Sequence, residues 1–329
     1  MAHLIDSMAY KGQTPWHELG TKIHPEASIE AWINAAGLSW HAKELPVYLE
    51  GGVQVPGYKA LVRSDTGKAL SIMSERYKPV QPREILEFYR DLTEDLGYAL
   101  ETAGSLKGGK KIWALAKTTD TLTLPGNDKV EGYFLLATSL DGTLSTVAKP
   151  TSIRVVCNNT LHISLGENTK EIRVGHKSKF NPQKVKEALG LVSNSWGVFA
   201  EVANVLASRK VSAAEVTDFF GQVVFKTDDP KKLEKGLQSQ KGQQIIQAIK
   251  HSPGSNLPSA QGTAWGLLNG LTNWLDYTAS RNLDNRLNSS WFGQGAEIKQ
   301  NAVDFLAGLR VDNTQVAQQE ASQDFFRSL

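Results

Sequence analysis

The 329-residue chain has a single cysteine, Cys157. That rules out an intramolecular disulfide and any zinc site built from several thiolates, and it points to a reducing compartment, the cytoplasm. Long apolar runs are also missing. No stretch approaches the ~20 consecutive apolar residues of a membrane span, and the opening MAHLIDSMAYKGQTPW has no apolar core of a secretory signal. Seven histidines (His3, His17, His24, His41, His162, His176, His251) include no pair at i, i+4 and no H-E-x-x-H. G-x-x-x-x-G-K-[ST] is absent too: Gly104-Ser105-Leu106-Lys107-Gly108-Gly109-Lys110-Lys111 lacks the hydroxyl residue after the lysine and a helix to follow it. No metal, no cofactor and no catalysis are expected on these grounds.

What is present suffices for a globular core: 40% apolar residues, with 8 Trp, 11 Phe and 8 Tyr. The formal net charge of +2 hides an uneven distribution. Residues 107–186 hold 13 Lys/Arg against 6 Asp/Glu, out of 36 and 34 in all, leaving 23 against 28 elsewhere. Such a basic segment is the footprint of a polyanion-binding surface, although balancing acids brought close by folding would erase it.

The patterning predicts an α+β protein. Residues 1–55 read as an N-terminal arm with one short helix, SIEAWINAAG, capped by Ser28 and stopped at Gly37. Residues 56–207 read as an α+β core. It opens with a hairpin turning at Ser64-Asp65-Thr66-Gly67 and a helix, PREILEFYRDLTEDLG, with Ile85, Phe88, Tyr89 and Leu92 on one face. An antiparallel meander follows: YALETAGSL, KKIWALAKT, GYFLLATSL and GTLSTVAKP, separated by KGG, by the loop TDTLTLPGNDKVE and by Asp141-Gly142. The run Ile112 to Ala116 is apolar on both pleat faces, as in a central strand covered on both sides. EIRVGH adds a short strand. Asn181-Pro182 starts a long covering helix with a seam at Val185, Leu189, Val192, Trp196, Phe199, Ala203 and Leu206. Residues 208–329 read as a helical C-terminal region containing VSAAEVTDFFGQVVF, KKLEKGLQSQKGQQIIQAIK, TAWGLLNGLTNWLDYTAS and QGAEIKQNAVDFLAGL, with a polar tail.

Two chemistries compete in TSIRVVCNNTLHISLG. Cys157 as a nucleophile would need His162 or His176 as its base; against this, Ile153, Val155 and Cys157 share one face of a period-two strand, where an unpaired cysteine is ordinarily buried. The second chemistry is polyanion binding. Lys107, Lys110 and Lys111 sit at one strand junction, Lys149 and Arg154 before the cysteine, and Arg173, His176, Lys177 and Lys179 beyond it. Gathered on one side, they would form a groove tracking phosphates, with Asn158 and Asn159 at its floor. Asn158-Asn159-Thr160 also reads as the cap of a helix starting at Leu161. Tyr77, Trp113 and Tyr133 are candidates for stacking on bases; Trp196 and Phe199 belong to the core.

The strings YKALVRSDTGKALSIMSERYKPVQPREILEF, GSLKGGKKIWALAK, IRVVCNNTL, TAWGLLNGLTNWLDY and WFGQGAEIKQNA resemble the phage- and plasmid-encoded proteins grouped under domain of unknown function nine-three-two. The likeness spans nearly the whole chain and implies a mobile element in a bacterial host cytoplasm. The order helix, meander, covering helix is also similar to the core of single-strand annealing proteins of the RecT, Redβ and Rad-fifty-two type. That likeness implies ATP-independent pairing of single-stranded DNA by a homo-oligomeric ring or filament in recombination. No motif of theirs transfers residue by residue, and a shared fold is weak warrant for function. The alternative expectation is a module that binds a host or phage protein and antagonises a defence system.

Overall fold

The computed structural model describes residues 5–12, 20–155, 159–162, 172–177, 180–183, 185, 195–280 and 283–308. The class is α+β. Two compact units interleave along the chain: the first comprises Met1–Thr119, Gly132–Pro150 and Lys170–Ser193, and the second Asp120–Glu131, Thr151–Thr169 and Asn194–Leu329. Cuts at residues 55 and 207 follow chain order, whereas these units share three long strands.

The N-terminal residues are more regular than an arm. Strand β1 (Ile5–Tyr10) pairs antiparallel with β6 (Ala99–Leu106) and parallel with β2 (Thr21–Lys22). Helix α1 (Ile29–Ala35) starts where the Ser28 hydroxyl accepts from the Ala31 N–H at 3.3 Å, and it buries Trp32 and Ile33. Strands β3 (Ala42–Tyr48), β4 (Gln54–Arg63) and β5 (Ala69–Ser74) form a separate three-stranded antiparallel sheet. Pro46 hides β3 from pattern reading, but β3 is an edge strand, where a missing N–H costs no ladder bond.

Helix α2 (Pro82–Leu96) packs its buried Ile85, Phe88 and Tyr89 against the meander, and Gly97 follows it at φ +68°. The sheet makes room with small residues: Ala103, Ala114, Ala116 and Ala148 share a core with Phe88, Tyr89, Phe134 and Leu136. Phe88 and Tyr89 lie 6.3 and 6.4 Å from the Phe134 ring. The Tyr89 hydroxyl reaches the Ala114 and Phe134 carbonyl oxygens at 2.8 and 3.0 Å, and burial raises its pKa well above the ordinary value. Tyr89→Phe is expected to lower stability by about 1–2 kcal/mol in denaturant titration, because the ring still fills its place while buried acceptors lose a donor.

Strands β6, β7 (Lys111–Leu124), β8 (Asp128–Ser139) and β9 (Thr146–Arg154) make the meander, within a sheet ordered β10-β9-β8-β7-β6-β1-β2; β10 is Asn159–His162, and β11 (Ile172–Val174) also pairs with β9. Residues 111–116 of β7 are buried on both faces: Ile112, Ala114 and Ala116 join the α2 core, while Trp113 and Leu115 lie buried on the opposite pleat face. The loop expected at TDTLTLPGNDKVE is instead strand almost throughout. Thr119 to Leu124 continue β7, with Leu122 and Leu124 on the core of the second unit, and only Pro125-Gly126-Asn127 turn. Alternating threonine and leucine outweigh the acidic Asp120 there.

The second unit is helical: α3 (Ser195–Ser208), α4 (Ala213–Phe219) running into a π-helical turn Phe220–Phe225, α5 (Pro230–Gln238), α6 (Gln240–His251), α7 (Ala264–Tyr277), α8 (Leu283–Phe292) and α9 (Gln294–Gly308). Ser212 and Glu215 form a reciprocal capping box on α4. The stretch read as one helix over residues 231–250 is two, broken at Ser239, whose extended backbone (ψ 159°) puts its hydroxyl 3.2 Å from the Gly242 N–H as the cap of α6. Helix α7 is buried nearly all round, and Gly270 lets it approach α6: a Cβ there would lie 2.4 Å from Ile249 Cγ1. The seam expected along one covering helix divides between cores, Val185 in the first unit and Phe199, Ala203 and Leu206 in the second; Leu189 and Val192 lie outside the described residues, as does the polar tail. Among the described residues no helix is long and apolar enough to cross a membrane.

Candidate nucleic-acid interface

In the first unit, the antiparallel order brings the β6–β7 and β8–β9 turns to the same end of the meander, where the Leu140 N–H donates to the Lys110 carbonyl at 2.7 Å. The β4–β5 turn reaches the same place: Arg63 Nη1 donates to the Gly108 carbonyl at 3.4 Å, and the Ser71 hydroxyl to the Leu140 carbonyl at 2.5 Å. Lys107, Gly108 and Gly109 have φ of 55°, 70° and 93°, so the first three residues of the β6–β7 turn have positive φ. Gly109 is required twice over: its φ disfavours a side chain, and a Cβ would lie 2.8 Å from the Trp40 ring.

Arg63 organises the cluster. It is buried, lies 4.4 Å above the Trp40 ring, and grips Asp65 in two parallel bonds, Nε to Oδ1 at 3.0 Å and Nη2 to Oδ2 at 2.8 Å. The Arg63 hydrogen bond is the main reason that Asp65 is held down at a pKa of about 2, against an ordinary 3.8. The contribution of this pair to stability is therefore complete above pH 3.8 and is lost as pH falls through about 2. An NMR carboxyl titration is expected to find Asp65 at about 2, and to find it back in the ordinary range in Arg63→Gln.

Around this clasp stand Lys68, whose Nζ lies 3.0 Å from where a Gly108 Cβ would be, the half-buried Lys107 and Lys110, and the buried Lys111. Burial lowers the Lys111 pKa, the Lys107 charge adds to the effect, and Asp141 opposes it. Asp141 itself accepts from the Thr143 N–H and hydroxyl at 3.0 and 2.6 Å. Next along this edge, His176 Nε2 donates to the Leu144 carbonyl at 2.8 Å, and its ring stacks on Tyr77 at 4.5 Å. Lys177 is exposed beside it.

Some of the expected cations share one place in the fold. Lys107, Lys110, Lys111, His176 and Lys177 come to one end of the meander, joined by Arg63 and Lys68, which sequence reasoning missed. Lys149 is on β9 but buried, and Arg173 is exposed on β11. Arg154 ends β9 at the end away from the β8–β9 turn and pairs there with Asn159 of β10, so these two positions are not at the glycine turn. Asn158, Lys179 and Cys157 lie outside the described residues. No helix starts at Leu161: residues 159–162 are a strand, extending the sheet along β9. The stacking candidates are already engaged: Trp113 is buried, the Tyr77 hydroxyl donates to the Ser139 carbonyl at 2.6 Å and burial pushes its pKa up to about 12, and the Tyr133 hydroxyl donates to Glu101 at 3.1 Å. Both ring nitrogens of His176 are turned toward backbone carbonyls, Nε2 to Leu144 and Nδ1 to Lys78.

A family model described as Domain of unknown function (DUF932) matches residues 69–291, more than half of the chain. The chain belongs to the DUF932 family. No curated protein and no solved structure matches it. In this DUF932 chain the matched region begins at Ala69, one residue beyond Lys68, so Trp40, Arg63, Asp65 and Lys68 lie before it while the glycine turn lies within it.

The second unit holds an unforeseen charged constellation. Lys299 Nζ lies 2.5 Å from Asp276 Oδ1 and 2.6 Å from Ser290 Oγ, and Ser290 also donates to Asp276. All three side chains are buried, and burial lowers the Lys299 pKa against the pull of Asp276. A serine beside a lysine is a nucleophile pattern, but this one is sealed inside helix packing and acts as a lock between α7, α8 and α9. No group of three His, Cys, Asp or Glu side chains able to hold a metal occurs among the described residues.

Proposed function

We propose that this chain is a single-stranded DNA-binding and strand-annealing protein of a phage or plasmid, a homo-oligomer acting in recombination without ATP. The observation that carries this reading is the gathering of Arg63, Lys68, Lys107, Lys110 and Lys111 around one glycine turn, from two hairpins distant in the chain. Cations at neighbouring strand ends suit a flexible backbone of phosphates, and binding to phosphate releases counterions. Annealing asks for no nucleophile: base pairing supplies the free energy once two strands are aligned and their repulsion screened. With the aromatic candidates buried, the backbone carries the affinity, so binding should tolerate any sequence.

The test is a mobility shift with single- and double-stranded oligonucleotides across a salt series, followed by a fluorescence annealing assay. Single-strand affinity falling linearly in log–log salt, with annealing faster than the spontaneous rate, supports the proposal. Affinity indifferent to salt, or no annealing above background, overturns it.

A further inference from the structure

Of the eight large apolar side chains exposed among the described residues, six belong to the β3-β4-β5 sheet and its hairpin tip: Leu45, Tyr48, Leu49, Val53, Tyr58 and Ile72, at 44 to 62% exposure. The register explains the concentration. Leu61, on the inward face, is fully buried in the first unit's core, while the outward row is Leu45, Ala60 and Ile72, side by side across the three strands. Tyr58 and Val62 flank Ala60 on the same face, two residues away in each direction. On this outward face Leu45, Tyr58 and Ile72 expose on the order of 300 Å² of side chain, within the ~300–600 Å² of the largest, often functional, patch on a monomer, and Tyr48, Leu49 and Val53 add exposed apolar surface at the adjoining hairpin tip.

We infer that this outward face is an isologous interface with a second copy of the chain. Two features select a second copy. The row is large, small, large, so a two-fold axis running along the strands between β4 and β5 seats Ile72 of each copy in the hollow over Ala60 of the other. A sheet pair packed face to face about 10 Å apart needs that self-complementary profile. The face is also nearly uncharged: its rows Lys43-Val62-Ala69, Leu45-Ala60-Ile72 and Tyr58-Ser74 carry only Lys43, at a corner. Nothing there would select an acidic partner or an anionic lipid surface, whereas apolar residues bury one another with no charge to match. The inference rests on the homo-oligomer of the proposed function and names its interface; it is separable from DNA binding, since it concerns the outward face of the sheet, away from the inward Arg63, and is read out by mass without DNA.

Sedimentation equilibrium of the full chain without DNA tests it. The wild type is expected at twice the 36.0 kDa chain mass, or at an even multiple. Ile72→Glu and Tyr58→Glu should weaken the pair by at least about tenfold each, and Val198→Glu, at an exposed site on α3, should leave the mass unchanged. Far-ultraviolet circular dichroism checks the fold, and Ile72→Ser replaces any glutamate variant that does not fold. A monomer at every concentration overturns the inference, as does an oligomer that Ile72→Glu and Ile72→Ser leave intact. A monomer that instead pellets with phosphatidylcholine vesicles would reassign the face to lipid.

Discussion

Replacing Asp276 with alanine is expected to cost about 3–5 kcal/mol of unfolding free energy, among the largest single effects in the chain. The substitution removes the carboxylate from a Lys299 ammonium that is 2% exposed and also bonded to Ser290. Burial already disfavours the charged lysine, and Asp276 restrains that tendency. The double variant Asp276→Leu with Lys299→Met should recover most of the loss, since it removes both charges and keeps apolar volume. Chemical denaturation of the four corners of this cycle gives the coupling energy. A catalytic role predicts another outcome: Ser290→Ala would abolish an activity while sparing stability, whereas a lock makes Ser290→Ala destabilising and nothing more.

Reversing Lys107 and Lys110 to glutamate should reduce single-strand affinity on the order of 100-fold at low salt. It should also flatten the slope of log affinity against log salt by about 1.4, or 0.7 for each phosphate contact removed. These two lysines are chosen because the fold does not rest on their side chains: Arg63 holds the turn through Trp40, Asp65 and the Gly108 carbonyl, and the half-buried lysines rim it. Lys111, being buried, would confuse loss of binding with loss of structure. Arg154→Glu, at the other end of β9, serves as the contrast and should leave binding intact if the turn cluster is the site. Unchanged affinity in the double variant, or a loss equal to that in Arg154→Glu, would refute the assignment.

What could be read from the chain beforehand follows the range of the forces involved. Ser28 before α1, Gly37 after it, the apolar face of α2 and the alternation of the meander are local signals, and each element formed where its signal stood. The interrupted signals misled: Pro46 concealed β3, and Asp120 with Pro125 disguised one long hairpin as a loop. Arg63 and Gly108 meet only through the crossing of two hairpins, so no window on the sequence contains both. The Lys299 lock was invisible for a related reason, because a lysine in a mixed helix reads as a surface residue until the helices around it are placed. Within the candidate site, the three lysines of the glycine turn were legible because turn and charge are neighbours in sequence. The scatter of Arg154 and Asn159 was not, because it depends on where β9 ends and which strand it meets there.

The weave of the two units has a consequence for synthesis. A ribosome releases the chain from the N-terminus, yet the first unit closes only when the residues up to Ser193 have emerged, after two pieces assigned to the second unit have already left the tunnel. The first unit therefore cannot close as an uninterrupted N-terminal piece, and two segments assigned to the second unit must wait for its helices, which are made last.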